Sequence, residues 1–485
     1  MSAFSISSFL DSSKGAHSAV ALMALAVSAG VLLILVGRPE LLMYYYPLSA
    51  FGVGIWLYAV APKMYIGFTL WIWFLTPFMR RLVDYEAGLF NPTNPVMLAP
   101  LLVTVVSGVS LFRYGSRFQS RSFFPFVLLL CGIGHGYVVG AVTVGIQSAT
   151  FAALSWILPL FFGLHIAFLW RQYPALTSIL RTTLTWGLLV MGSYGLYQFF
   201  AGPPWDMMWL DESNMWLTMG RPEPMQFRVF STLNSTGPYA FVVCAILLLL
   251  IQGRGGWTKL ALIPGYITFL LTLVRSAWMG WIVGVTFLVF WRLQGRLRKR
   301  LLGVLIATIL LGVPFFALSP ASQNVAQRAQ TFTNLEKDAS FRARAGIYTR
   351  GAKQVLMTPL GYGLGSFGVA AKLSKGEVVS FDSGVFDVLF SLGWLGSLCY
   401  GVGIALLLRQ TVFAPDLTDT FEPFLHAVLI AFLFMLLSIN QFAGVMGMMF
   451  WTALGLALAA RLHARRNRPD ESPPVSTSSV PAFTS

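Results

Sequence analysis

The sequence predicts an all-α polytopic membrane protein with about 12–14 transmembrane helices and one large, partly helical loop on the outer side. Three observations predict it. Of 485 residues, 56% are hydrophobic and only 11% are charged, where a soluble domain carries about 25% charged residues. The mean hydropathy is +0.71. The apolar residues also fall in runs close to the roughly 17–25 residues that a membrane helix needs. This composition excludes a soluble enzyme, a secreted disulfide scaffold and a disordered regulator.

On that template, spans are expected near 18–37, 41–61, 64–79, 95–112, 123–145, 148–170, 182–201, 237–252, 258–274, 277–291, 301–318, 384–408, 424–440 and 441–460. The first apolar run reaches Val36, beyond the roughly 7–15 residues of a signal-peptide core, so an uncleaved first span is expected. The three cysteines, Cys131, Cys244 and Cys399, lie inside apolar runs. Neither a disulfide framework nor a clustered thiolate metal site follows from them. No repeat of fixed period is evident.

The net charge of +15 is explained by orientation rather than by nucleic acid. Basic residues gather in short connections, as the positive-inside rule requires. Arg113, Arg117 and Arg121 mark one connection, and Arg292, Arg296, Arg298, Lys299 and Arg300 another. Arg461, Arg465, Arg466 and Arg468 mark the tail. With the spans above, all three lie on one side, read as cytoplasmic together with both termini. A membrane domain over residues 1–468 is then followed by a Pro-, Ser- and Thr-rich tail, 469–485, expected to be disordered. The other side receives two long connections, 202–236 and 319–383. The second stays basic through Arg328, Lys337, Arg342, Arg344, Arg350, Lys353, Lys372 and Lys375, against Glu336, Asp338, Glu377 and Asp382. Topology does not explain that excess; an anionic ligand would.

Arg275 interrupts the apolar stretch from Leu260 to Phe290, in LLTLVRSAWMGWIVG. Sixteen residues separate it from Lys259, about 24 Å of helix. That puts it at or just below the outer interface of a core roughly 30 Å thick. A helix starting at Ser276 would offer free backbone N–H groups to an anion. An arginine within a span costs about 2.5–3.5 kcal/mol on insertion scales, which argues for function; the structural alternative is a snorkelling arginine between two short helices.

A second constellation is FRARAGIYTRGAKQVLMTPLGYGLGSFG, residues 341–368. Arg342 and Arg344 precede an amphipathic helix that Pro359 ends. Gly361, Gly363, Gly365 and Gly368 follow in a tight loop whose backbone could approach a phosphate. The pattern lacks the context of a dinucleotide site or a P-loop, and a flexible return to the membrane is the preferred reading of these glycines. In the third, FDSGVFDVLFSLGWLG, Asp382 stands at the mouth of a span and Asp387 about one turn deeper. Asp382 suits a base for an attacking hydroxyl, or an N-cap, or both. No histidine lies in either outer loop, and neither loop has metal-ligand spacing or a serine nucleophile motif.

Taken together, residues 225–400 resemble the O-antigen ligase and polymerase family of integral membrane glycosyltransferases. TLVRSAWMGW resembles the family's transmembrane arginine motif and puts that role on Arg275. RVFSTLNSTGPYA, residues 228–240, resembles a segment in which an arginine shortly precedes an asparagine, matching Arg228 and Asn234. RAGIYTRGAKQVLMTPLGYGLGSF resembles the large outer loop, with Arg344 and Tyr348 at an arginine position and a commonly tryptophan position. Many members, the ligases above all, carry a His-Asn pair eleven and ten positions before the glycine matched here by Gly393. This chain has Asp382 and Ser383 there, so an aspartate stands where the proposed histidine base would be. That departure favours polymerases of exopolysaccharide repeat units over ligases.

The resemblance implies a sugar chain on polyprenyl diphosphate, transferred to an acceptor hydroxyl at the periplasmic face of a bacterial inner membrane. It implies Arg275, Arg344 and Asp382 as catalytic residues, with Arg228, Arg342, Arg350, Asn234 and Tyr348 binding substrate. No cofactor, metal or nucleic acid is expected. Membrane lipid is the medium, and a chain-length regulator and a flippase are candidate partners. A ligase acting on a lipid, protein or glycan acceptor is the alternative within the class. A transporter or flippase is the alternative outside it, but transporters place their ionisable groups near the midplane, whereas here the charge gathers at the outer mouth.

Overall fold

The computed structural model describes Met23 and residues 38–253, 255–303, 306, 351, 353–375, 383–414 and 419–467. The described chain is helical, with an isolated bridge between Gly220 and Phe227. Twelve of the fourteen expected spans fall on described helices. These are α1 (Leu42–Val60), α2 (Pro62–Glu86), α3 (Pro95–Arg113, opening in a 3-10 turn), α4 (Phe124–Thr143), α5 (Ile146–Phe168) and α6 (Tyr173–Ala201). After the short helix α7 (Pro204–Glu212) come α8 (Thr236–Leu250), α9 (Gly256–Leu271), α10 (Arg275–Phe287), α11 (Gly384–Gln410), α12 (Glu422–Met435) and α13 (Gly444–Asn467). The expected spans 18–37 and 301–318 lie almost wholly outside the described residues, as do most of the 319–383 loop and the tail beyond Asn467. Among the described residues, six helices are long and apolar enough to cross a membrane.

Two boundaries differ from the sequence reading, each for its own reason. The span expected to end at residue 79 continues through Arg80, Arg81 and Asp84 to Glu86, because these charges find partners inside the bundle. The span expected from residue 182 begins at Tyr173, since Pro174 is tolerated in the first turn. A charged residue in an apolar helix ends it only if the charge has nowhere to go.

The helix α8 is buried on every side from Tyr239 to Leu250 and contacts α9, α10, α12 and α13. A helix apolar all round belongs at the centre of a bundle. Around it α4 pairs with α11, α5 with α13, and α6 with α9. Small residues set those approaches: a Cβ on Gly132 would lie 2.6 Å from the Gly396 carbonyl oxygen, and one on Gly163 would lie 2.5 Å from that of Trp451.

The helix α11 breaks at Gly393, whose φ of 65° is left-handed. Residues 359–368 thread into that break. Trp394 N–H donates to Pro359 C=O (2.8 Å), Tyr362 N–H to Phe390 C=O (2.7 Å) and Leu364 N–H to Gly136 C=O (2.8 Å). Thr143 and Ser148 donate to the carbonyls of Tyr362 (2.7 Å) and Gly365 (2.9 Å). The glycines at 361, 363 and 365 thus face protein backbone from α11, α4 and α5, while Gly368 faces open space. Backbone-to-backbone packing accounts for the first three, with no space left at their Cα atoms for a phosphate.

This packing makes an ordered pair of outcomes. Gly363→Ala drives a methyl into the backbone of Gly140 at a φ of 83° and is expected to destabilise by several kcal/mol. Gly368→Ala, at 69° in open space, is expected to cost only about 1–2 kcal/mol. Thermal melting of the two variants in detergent checks this; equal midpoints would contradict the packing account.

Candidate functional site

Helix contacts define which segments share an end of the bundle. Gly280 of α10 lies against Met435 at the far end of α12, and the Gly384 N–H at the start of α11 donates to Leu436 C=O (2.9 Å). The start of α10, the start of α11, the α12–α13 connection and the 359–368 segment therefore meet at one end. The 202–236 connection joins them, because Val229 N–H donates to Leu271 C=O (3.2 Å), at the end of α9.

The foundation of this end is an ion pair. Arg81 of α2 and Asp206 of α7 are both 0% exposed, with Nε to Oδ1 at 2.6 Å. Most other arms of the pair are used. Arg81 donates to the carbonyls of Ser231 (2.5 Å) and Leu233 (2.6 Å) and to Asn234 Oδ1 (3.3 Å). Asp206 Oδ2 accepts from Tyr194 O–H (2.7 Å) and Gln198 Nε2 (2.6 Å). Gln198 Oε1 in turn accepts from the N–H groups of Phe230 (3.2 Å) and Ser231 (2.8 Å). The Arg81 guanidinium also lies over the Phe230 ring, 5.0 Å from its centroid. Ser231, at φ 50°, holds a conformation that costs a non-glycine residue about 1–2 kcal/mol. The buried polar groups around it hold it there.

From this segment Arg228 reaches the α9–α10 turn. Its Nε donates to Thr272 C=O (2.8 Å) and a terminal nitrogen to Leu273 C=O (3.2 Å). Leu273 is itself left-handed, at φ 53°. Two residues on, Arg275 opens α10, half-buried, after Val274 in extended conformation. The turn is closed from its other side, where Trp278 Nε1 donates to Phe269 C=O (3.2 Å) and the Tyr266 and Trp281 rings meet edge to face at 5.8 Å. A chain of contacts thus runs from Arg81 through residues 228–234 to the helix start that carries Arg275.

Across α12, Ser383 caps α11 by accepting from Phe386 N–H (3.5 Å). The capping role considered for Asp382 therefore belongs to Ser383. Asp387 accepts from Ser391 Oγ (3.2 Å) and Asn440 Nδ2 (2.8 Å), and Asn440 Oδ1 accepts from Phe442 N–H (2.8 Å). Asp387 thereby ties α11 to the α12–α13 connection.

Among the sequence-selected residues, Arg275, Arg228 and Asn234 are brought to this end. Arg228 and Asn234 are built into its support; Asn234 also donates to Met97 Sδ (3.9 Å). Asp382, Arg342, Arg344, Tyr348 and Arg350 lie outside the described residues. Among the described residues, no group of His, Cys, Asp and Glu is placed to hold a metal ion. Sequence reasoning missed Arg81, Asp206, Gln198 and Tyr194. The signal was present for Arg81: an arginine in an apolar helix, the argument applied to Arg275. Ending that span at residue 79 hid it.

Residues 260–401 match the O-antigen ligase family. No curated protein matches the chain. The matched segment runs from α9 into α11 and includes Arg275, Gly393 and the glycine-rich segment. Arg228, Asn234 and the Arg81–Asp206 pair precede it. The matched segment thus carries the arginine at the helix start, and the preceding 202–236 connection supplies the hydrogen bonds that fix its turn.

Removing one member of a buried pair leaves the other charge uncompensated, which costs about 3–5 kcal/mol. Arg81→Met and Asp206→Leu are each expected to lose that much, and Arg81→Lys should not rescue, since a point charge cannot serve four acceptors in a fork. Melting midpoints in detergent check this; a lysine variant as stable as the native chain would refute the network's role.

Proposed function

We propose that the protein is a glycosyltransferase that polymerises oligosaccharide repeat units carried on polyprenyl diphosphate, at the periplasmic face of the inner membrane. The observation that carries this reading is Arg275 at the start of α10 inside the O-antigen ligase match. Breaking the anomeric bond releases negative charge on the diphosphate, so the protein must supply positive charge there and a base at the acceptor hydroxyl. Arg275 takes the diphosphate, helped by the positive end of the helix dipole at whose start it stands. Arg344 is proposed as the second cation, Asp382 as the base, and Arg342, Arg350 and Tyr348 as further contacts from the same loop. Metal independence follows from arginines balancing the diphosphate charge and belongs to the proposal. The geometry of Arg228 supports a changed role: it positions Arg275 by holding the carbonyls of Thr272 and Leu273.

A second reading is a ligase that transfers finished glycan to a lipid, protein or glycan acceptor, favoured by the description of the matching family. Asp382 and Ser383, where the ligases have His-Asn, favour polymerisation. The two predict different intermediates. In a deletion strain, lost polymer with single repeat units left on the carrier means a polymerase. Full-length polymer accumulating on the carrier means a ligase. An unchanged glycan profile overturns both.

With purified protein and lipid-linked repeat units, Arg275→Ala is expected to lower turnover by on the order of 10²–10³. Arg228→Lys keeps the charge and loses the fork. If Arg228 positions, the lysine variant falls as far as Arg228→Ala; if it serves only as a cation for the diphosphate, lysine retains most of the rate. Native turnover in a folded Arg275→Ala variant would remove Arg275 from the mechanism.

A further inference from the structure

The end of the bundle opposite Arg275 contains a cavity of about 690 Å³ between α6, the end of α8, the start of α9, the chain after α10 and the start of α12. Arg181, Arg292 and Arg300 line it together with one carboxylate, Asp419. We propose that this cavity is a binding site for the phosphate headgroup of an anionic membrane lipid. It rests on the cavity and not on the catalytic reading above.

The described residues compensate the charge of the cavity only in part, with Glu422 close enough to act on Arg292. Asp419 is already occupied: Oδ1 accepts from the N–H groups of Phe421 (2.9 Å) and Glu422 (2.8 Å), and Oδ2 from Tyr173 O–H (2.7 Å). The neighbouring Glu422 is fully buried and bound to Arg461 Nε at 2.6 Å. Among the described residues, no ion pair engages Arg181, Arg292 or Arg300. Arg292 donates one terminal nitrogen to Val412 C=O, while its buried Nε meets no hydrogen-bond partner among the described residues. Arg181 is held against the Phe421 ring, 4.3 Å from its centroid. The positive-inside rule accounts for basic residues at this end. It does not account for three guanidinium groups, one from α6 and two from the chain after α10, lining one cavity.

Two observations favour a lipid over a free phosphate. Leucines 249, 250, 293 and 297 line the cavity beside the arginines, which suits the glycerol and first methylenes behind a headgroup. Trp257 and Trp291, 58% and 70% exposed, flank it at the start of α9 and at the π-helical turn after α10, and exposed tryptophans sit at the headgroup level. Basic pockets between helices at this depth suit lipids with two phosphates.

Native mass spectrometry of the full chain in detergent tests this, with cardiolipin, phosphatidylcholine or inorganic pyrophosphate added. Arg181→Gln/Arg300→Gln alters two exposed side chains, and its melting midpoint without lipid is expected to stay near that of the native chain. The expected result is cardiolipin retention that falls by on the order of tenfold or more in this variant, with no retention of phosphatidylcholine. The single Arg181→Gln is read the same way should the double variant misfold. Equal cardiolipin retention by native and variant chains overturns the site. Pyrophosphate bound and lost with the arginines, without cardiolipin, overturns the lipid and leaves a soluble anion.

Discussion

The end of this protein that carries Arg275 depends on burying one ion pair well. Placing Arg81 and Asp206 where neither touches solvent costs several kcal/mol per ion, and their mutual attraction offsets that only if the remaining donors and acceptors are satisfied. They are: three groups donate to Asp206, and Arg81 reaches two carbonyls and an amide oxygen besides. Those partners are the backbone of the segment leading into α8, so the electrostatic requirement of one pair becomes the conformation of a loop. That segment, through Arg228, then fixes the turn from which Arg275 emerges.

The other half of the same end is closed by a different kind of packing. Between α4, α5 and α11 there are few charges to pair, and the chain comes together backbone against backbone at glycines. The hydrogen bonds from residues 359–368 pass to carbonyls exposed by the break at Gly393 and by close approach to α4. In an apolar surrounding, irregular backbone is tolerated only where protein satisfies its polar groups. The broken helix and the entering segment therefore depend on each other.

The arginines of the chain separate by what their guanidinium groups already hold. Arg81 donates to four acceptors, and Arg228 grips two successive carbonyls of a left-handed turn. Arg275 stands half-buried at a helix start. At the opposite end, Arg461 is held by Glu422, while Arg181, Arg292 and Arg300 face a cavity. An arginine count separates none of these settings, since the same residue type supports the fold in one place and lines a cavity in another.

The sequence by itself determined the class, most span positions and the exceptional standing of Arg275, because runs of apolar residues and the cost of a charge within them are local properties. Twelve expected spans fall on described helices, and the turn before Arg275 lies where the 258–274 and 277–291 readings put it. Only the tertiary structure decided that α2 continues past residue 79, that Arg228 and Asn234 hydrogen-bond the chain around the site, and that Ser383 caps α11. Each of those outcomes depends on a partner far along the chain: Asp206 lies 125 residues from Arg81, and Thr272 lies 44 from Arg228. Hydropathy records what a residue costs to bury, and only folding supplies the group that offsets it.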